Sequence, residues 1–225
     1  MSFINQGRLS QSAYVESVWS GQAGKDCFPN CPAESRWHLL ILKENEKVKA
    51  SIAGPMTKAT TKSHNEGVEW LVVKFRLGVF MPHLSARRLV DGNIVFPDAT
   101  KQSFWLKSST WQLPTYDNVE TFVDWLVHDD MVVADPVVKS VLQDQMPDKS
   151  SRTIRHRFLQ ATGLPQSTIR QIERAQQAVG LLEGGVSILD TVYQAGYADQ
   201  PHLTRSLKYF MGQTPAQIVP MRQTA

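Results

Sequence analysis

The chain has 225 residues, 42% of them hydrophobic and 20% charged, the composition of a soluble globular protein with length for one large or two small domains. No apolar run approaches the roughly 18 residues of a membrane span, and the start, MSFINQGRLSQS, has no apolar signal-peptide core, so a cytoplasmic location is expected. The net charge of +3 hides an asymmetry: residues before Ser150 hold 16 Lys+Arg against 17 Asp+Glu, and residues from Ser150 onward hold 8 against 4. A basic excess confined to one end is what a phosphate-bearing partner requires.

In chain order, Val15 to Trp19 reads as a short strand, and Gly21 to Pro32 has loop chemistry. Within that loop lie the two cysteines, Cys27 and Cys31. They are too few to close a zinc site, and they leave open a redox pair or two ordinary loop thiols. RWHLLILK (Arg36 to Lys43), KVKASIAG (Lys47 to Gly54) and EWLVVKFRLG (Glu69 to Gly78) are rich in Val, Ile, Leu and Trp. Turn residues bound them, so they read as strands, with Glu44-Asn45-Glu46 as a hairpin loop. Asn93 to Phe96 and Ser103 to Leu106 are two further strand candidates. NVETFVDWLVH (Asn118 to His128) reads as a helix with Phe122, Trp125 and Leu126 on one face.

The C-terminal part is helical in pattern. Asp135-Pro136 starts a helix with Val137, Val138, Val141 and Leu142 apolar. A second helix is expected from about Ser151 to Ala161, where Ile154 and Phe158 are four apart and pack inward. Gln166 to Glu183 is a third, with Ile172, Ala175, Val179 and Leu182 on its inward side and Arg170 and Arg174 able to reach a backbone phosphate. Gly184-Gly185 ends it. Ser187 with Asp190 forms a capping box, so a helix starts near Ile188, with Ile188, Val192 and Ala195 apolar. Gly196 ends that helix where φ > 0 is needed. Asp199 caps the next, Pro201 sits in its first turn, and Leu203, Leu207 and Phe210 point inward. Gly212 closes it, and Thr214-Pro215 opens a last short turn. Helix, glycine turn and helix with a polar, basic outer face is the layout of a helix-turn-helix, whose second helix fits a major groove.

GYADQPHLTRSLKYFMGQTPAQI (Gly196 to Ile218) resembles the signature of AraC/XylS-type transcription regulators. SSRTIRHRFLQATGL (Ser150 to Leu164) is similar to the first recognition helix of that family, and IRQIERAQQAVGLLEGG (Ile169 to Gly185) to the joining helix. The likeness runs from about Asp135 to Ile218. It implies double-stranded DNA as partner and places Arg152, Arg155 and His156 of the first recognition helix near bases. Arg157 touches phosphate or closes an internal ion pair. In the second recognition helix the match places Gln200, His202, Thr204 and Arg205 toward the groove and Lys208 near phosphate. The joining helix, at ~1.5 Å per residue, spans ~27 Å, against ~34 Å between successive grooves on one DNA face, so the two recognition helices suit adjacent major grooves.

The family often carries a β-rich, cupin-like domain before the helix-turn-helix pair, and KFRLGVFMPHL (Lys74 to Leu84) loosely resembles it. The expected fold class is α+β. An N-terminal β-rich sandwich or cupin-like barrel (1–117) leads through a connecting helix (118–134) to an all-α double helix-turn-helix (135–225). A β cavity lined by aromatics suits a small organic effector, with Arg36, Trp37, Trp70 and Lys74 as candidate ligand contacts; a plain aromatic core from Trp37, Trp70, Trp105 and Trp111 is the alternative. His38, His64 and His83, with Glu66 or Glu69, would have to converge to hold a metal, and no His-x-His pair marks such a site. Gly-x-Ser-x-Gly, phosphate-loop and His-Glu-x-x-His motifs are all absent from the sequence. The expected function is therefore a non-enzymatic, effector-controlled DNA-binding regulator without a cofactor or membrane partner, acting with RNA polymerase, with homodimerisation left open. The competing reading is a cupin-type metal-dependent enzyme or ligand carrier with an auxiliary DNA-binding domain.

Overall fold

The computed structural model describes residues 4–24, 30–61, 65–145 and 147–219. Cys27 and His64 lie outside them. In order the elements are β1 (Ile4–Leu9), β2 (Val15–Gln22), β3 (Asn30–Cys31), β4 (His38–Glu44), β5 (Lys47–Ala53), β6 (Thr60–Thr61), β7 (Glu69–Phe75), β8 (Val79–Phe80), α1 (Ala86–Leu89), β9 (Asn93–Val95), β10 (Ser103–Leu106), β11 (Ser109–Gln112), α2 (Val119–His128) and β12 (Val133–Ala134). The rest is helical: α3 (Pro136–Leu142), α4 (Ser151–Thr162), α5 (Gln166–Glu183), α6 (Ile188–Gln194), α7 (Gln200–Met211) and α8 (Pro215–Ile218). The N-terminal half is thus β-rich and the C-terminal part helical, as expected. No helix of the described residues is long and apolar enough to cross a membrane.

The chain forms two compact units. One holds Met1–Phe28, Arg36–Pro55 and Ser63–Pro165; the other holds Pro29–Ser35, Met56–Lys62 and Gln166–Ala225. In the first, six antiparallel strands form one open sheet in the order β1-β2-β7-β4-β5-β9. Alternation sets its faces: Leu39 and Ile41 of β4 and Leu71, Val73 and Phe75 of β7 are buried, while their neighbours are partly exposed. Glu44 pairs with Lys47 around a two-residue turn, where Asn45 adopts φ 52°.

The buried face packs on α2, through Val119, Phe122, Val123 and Leu126, and on the β10–β11 hairpin, through Phe104 and Leu106. Phe104 stacks on Phe96 at 5.0 Å and meets Phe122 edge-on at 6.2 Å. Trp125, expected inside with Phe122 and Leu126, is instead 54% exposed. Val119 and Val123 explain the difference: together with Phe122 and Leu126 they centre the apolar stripe on the side of the helix away from Trp125. Edge strand β1 is fastened to α2 by Arg8, whose guanidinium donates to both carboxylate oxygens of Glu120 (2.5 and 2.7 Å) and to the Tyr116 carbonyl (2.9 Å).

In the second unit α5 buries Ile169, Ile172, Ala175, Ala178 and Leu182. Val179, expected on that side, is only half-buried, because Ile169 and Ala178 shift the stripe by part of a turn. α6 buries Thr191 and Val192, and α7 buries Leu203, Leu207, Phe210 and Met211.

Candidate nucleic-acid interface

The first candidate element is built from α3 and α4. Asp135 caps α3, accepting from the Val137 N–H at 2.9 Å, and Pro136 occupies the first turn, where no intrahelical N–H bond is lost. Ser150 caps α4 by accepting from the Thr153 N–H at 3.2 Å. Ile154, Phe158 and Ala161 are buried, which turns Arg152, Arg155 and His156 outward, and all three are exposed. Arg157 is half-buried. Its Nε and Nη2 donate to the two carboxylate oxygens of Asp135 at 2.8 and 2.7 Å. This bidentate pair joins the middle of α4 to the cap of α3. Gly163 ends α4 at φ 73°.

The second element is α6 and α7. Ser187 accepts from the Asp190 N–H at 3.1 Å, and Asp199 accepts from the His202 N–H at 2.6 Å, so both helices start on side-chain caps. Gly196, at φ 69°, makes the turn between them, and the Tyr197 N–H reaches back to the Val192 carbonyl at 2.8 Å. Tyr197 is the buried pivot of the turn. Its hydroxyl lies 3.0 Å from the Ser206 hydroxyl, the Arg174 guanidinium lies 4.5 Å above its ring, and the His202 ring meets it edge-on at 5.1 Å. Arg174 therefore braces the turn from α5, a position the α5 pattern alone does not reveal. Gln200, Arg205 and Lys208 are exposed along α7, and His202 and Thr204 are half-buried beside them.

Residues 148–219 match the family described as Helix-turn-helix domain, a span that takes in α4 through α8. The C-terminal region is an AraC-type helix-turn-helix domain. Such a domain is the DNA-binding part of a transcription regulator, and the matched span takes in both α4 and α7. No curated protein sequence matches the chain. Solved structures that the chain resembles include ToxT from Vibrio cholerae with bound unsaturated fatty acid (10% identity, TM-score 0.44, covering 97% of this chain and 99% of that one). ToxT bound to (E)-4-(8-methylnaphthalen-1-yl)but-3-enoic acid is another (12% identity, TM-score 0.39, 96% and 98%). A third is ToxT from strain O395 (10% identity, TM-score 0.42, 98% and 99%).

The four candidate effector contacts of the β-rich part fall in different places. Trp37 is buried in the core, stacked on Phe75 at 3.9 Å, with its indole N–H donating to the Val79 carbonyl. Arg36 forms an ion pair with Glu16 and lines a cleft of about 800 Å³ with Arg76, Asp135 and Lys139. Trp70 lines a different cleft, of about 430 Å³, with Gln6, Ser20, Lys43, Glu69 and Tyr116. Lys74 is four residues beyond Trp70 on β7, about 13 Å along the strand, and borders neither cleft. Among the described residues, no group of three or more His, Cys, Asp or Glu is placed to hold a metal ion.

Proposed function

We propose that the chain is a sequence-specific transcription regulator that reads two elements of double-stranded DNA in adjacent major grooves, one with α4 and one with α7. The observation that carries this is the outward face of the two recognition helices. Arg152, Arg155 and His156 on α4, and Gln200 and Arg205 on α7, are exposed and lie on the sides of their helices away from the buried faces. Arg and Gln at such positions make paired hydrogen bonds to base edges. His202 and Thr204 complete the reading face of α7, Lys208 supplies phosphate attraction, and Arg157 acts through the fold of the element. Residues 1–117 would sense, 118–134 connect and 135–225 read.

We further propose that the β-rich part binds a small organic effector, which biases DNA binding by favouring one conformation over another. The cleft at the end of β2, β4 and β7 supports this: its volume of about 430 Å³ lies within the range of small-molecule sites, and Lys43 and Glu69, register partners on neighbouring strands, give it both charges. The chain then acts in the cytoplasm as a regulator rather than an enzyme, with RNA polymerase as its downstream partner and self-association at paired sites. Selection from a random duplex library tests the DNA reading. Enrichment of a two-element site, lost with Arg152→Ala/Arg205→Ala, is expected; retention of the same site by the double variant would refute it.

A further inference from the structure

Both recognition helices end on a glycine in the left-handed region, Gly163 at φ 73° and Gly212 at φ 73°. At each of them a part of the N-terminal half comes so close that a Cβ would force a neighbour to shift, backbone at Gly163 and the Asn30 amide at Gly212. A Cβ on Gly163 would lie 2.7 Å from the Ala86 carbonyl oxygen at the start of α1, and 3.1 Å from the Val90 side chain. A Cβ on Gly212 would lie 2.5 Å from Asn30 Oδ1 and 3.1 Å from Ala59 Cβ. The other two positive-φ glycines of the helical part, Gly185 and Gly196, have nothing within 4 Å. Backbone conformation alone therefore requires glycine at all four, and close packing adds a second requirement only at the ends of α4 and α7.

The contact at α7 has its own chemistry. The last four carbonyls of a helix lack an intrahelical partner. In α7 three of these four are taken by the ribbon of β3 and β6. Ala59 N–H donates to the Tyr209 carbonyl at 2.9 Å, Ala33 N–H to Phe210 at 2.6 Å, and Asn30 Nδ2 to Met211 at 2.6 Å. The Glu34–Met56 bridge continues the ribbon, and Gln176 of α5 donates to the Ala33 carbonyl at 3.3 Å. Residues 30–34 and 56–61 thus form the C-terminal cap of a helix far away in sequence. At α4 the contact is packing without such hydrogen bonds: α1 lies against Gly163, and α1 itself rests on the end of β5, where a Cβ on Gly54 would strike the Leu89 backbone. Gly54 and Ala59, five residues apart after β5, belong to the two supports.

We propose that these contacts are positioning devices for DNA recognition: the N-terminal half sets the placement of α4 through Ala86 against Gly163, and of α7 through Asn30, Ala33 and Ala59 against its last turn. The inference rests on the DNA reading above.

The test compares glycine variants that share backbone strain and differ in packing. Specific affinity is measured on the selected DNA site at a temperature where every variant is folded. Gly163→Ala and Gly212→Ala should each bind at least about fivefold more weakly than Gly185→Ala, which carries the strain alone. Asn30→Ala should also weaken binding, and its effect should not add to that of Gly212→Ala, because both act at one contact. Amide exchange gives a readout independent of DNA: the Ala33 and Ala59 N–H groups should be protected in the wild-type chain and in Gly185→Ala, and exchange faster in Gly212→Ala. Equal affinity for all three glycine variants, strict additivity, or tighter binding by Asn30→Ala would overturn the positioning role. Unprotected Ala33 and Ala59 amides in the wild type would overturn the contact itself. If the wild type selects no DNA site, the DNA reading fails, and amide exchange decides the docking alone.

Discussion

Arg157 on α4 is locked to Asp135, the cap of the preceding helix, by two hydrogen bonds of 2.8 and 2.7 Å. Asp135 thus serves two ends: it satisfies the Val137 N–H of α3 and neutralises a half-buried guanidinium of α4. Asp135→Ala removes a helix cap and leaves Arg157 without its partner, so it should cost about 2–3 kcal/mol in denaturant unfolding. A loss within about 0.5 kcal/mol of zero would show that the pair does not hold the element together.

Arg152 and Arg155 should behave in the opposite way. They are exposed and packed against nothing that the fold needs, so alanine at either should leave the midpoint of unfolding nearly unchanged. Each that touches phosphate should lower the slope of log affinity against log salt by about one, and one that reads a base should relax specificity at a single position. Affinity titrations at several salt concentrations separate the two roles.

The acid limb of stability should depend on Glu120. The Arg8 guanidinium holds its carboxyl down to about 2, the Ser10 hydroxyl adds to this, and partial burial opposes it. Since the folded value lies below the ordinary 4.5, the stabilisation is complete above that pH and is lost as pH falls toward about 2. Glu120→Gln should therefore be less stable than the wild type at neutral pH, by about 1–2 kcal/mol, and the two should converge in strong acid. A stability difference that stays constant from neutral to strongly acid pH would contradict the assignment.

Much of the helical part is legible in the sequence because its signals are local. The caps Ser187 and Asp199, the glycines at 196 and 212, and the Ile154/Phe158 and Leu203/Leu207/Phe210 spacings each fix an element from within a few residues. What stays hidden depends on partners distant in sequence. β1, with its sequence INQGRL, has no apolar alternation, and it is a strand because β2 pairs with it and Arg8 finds Glu120. The β3–β6 ribbon is short and polar, and its reason lies in the carbonyls of α7, as far as 181 residues away. Trp37 and Trp70 look alike as sequence; one stacks in the core and the other borders a cleft, a difference set by pleat and by strand position.

Trp37 and Lys43 give the matching test of the proposed effector cleft. Trp37→Phe keeps a stacked ring but leaves the Val79 carbonyl without its donor, so it should destabilise by about 1–2 kcal/mol and leave effector affinity unchanged. Lys43→Ala should keep the melting temperature and abolish the thermal shift given by any polar or anionic small molecule that stabilises the wild type. A compound that shifts both proteins equally would bind elsewhere.

The most direct measurement is selection of the purified full chain on a random-sequence duplex library, beside Arg152→Ala/Arg205→Ala. The account predicts one enriched site with two elements about one helical turn apart, each lost with its own arginine when the single variants are tested. Weak, salt-sensitive binding with no enriched site, or an enriched site that both substitutions leave intact, would contradict reading by α4 and α7.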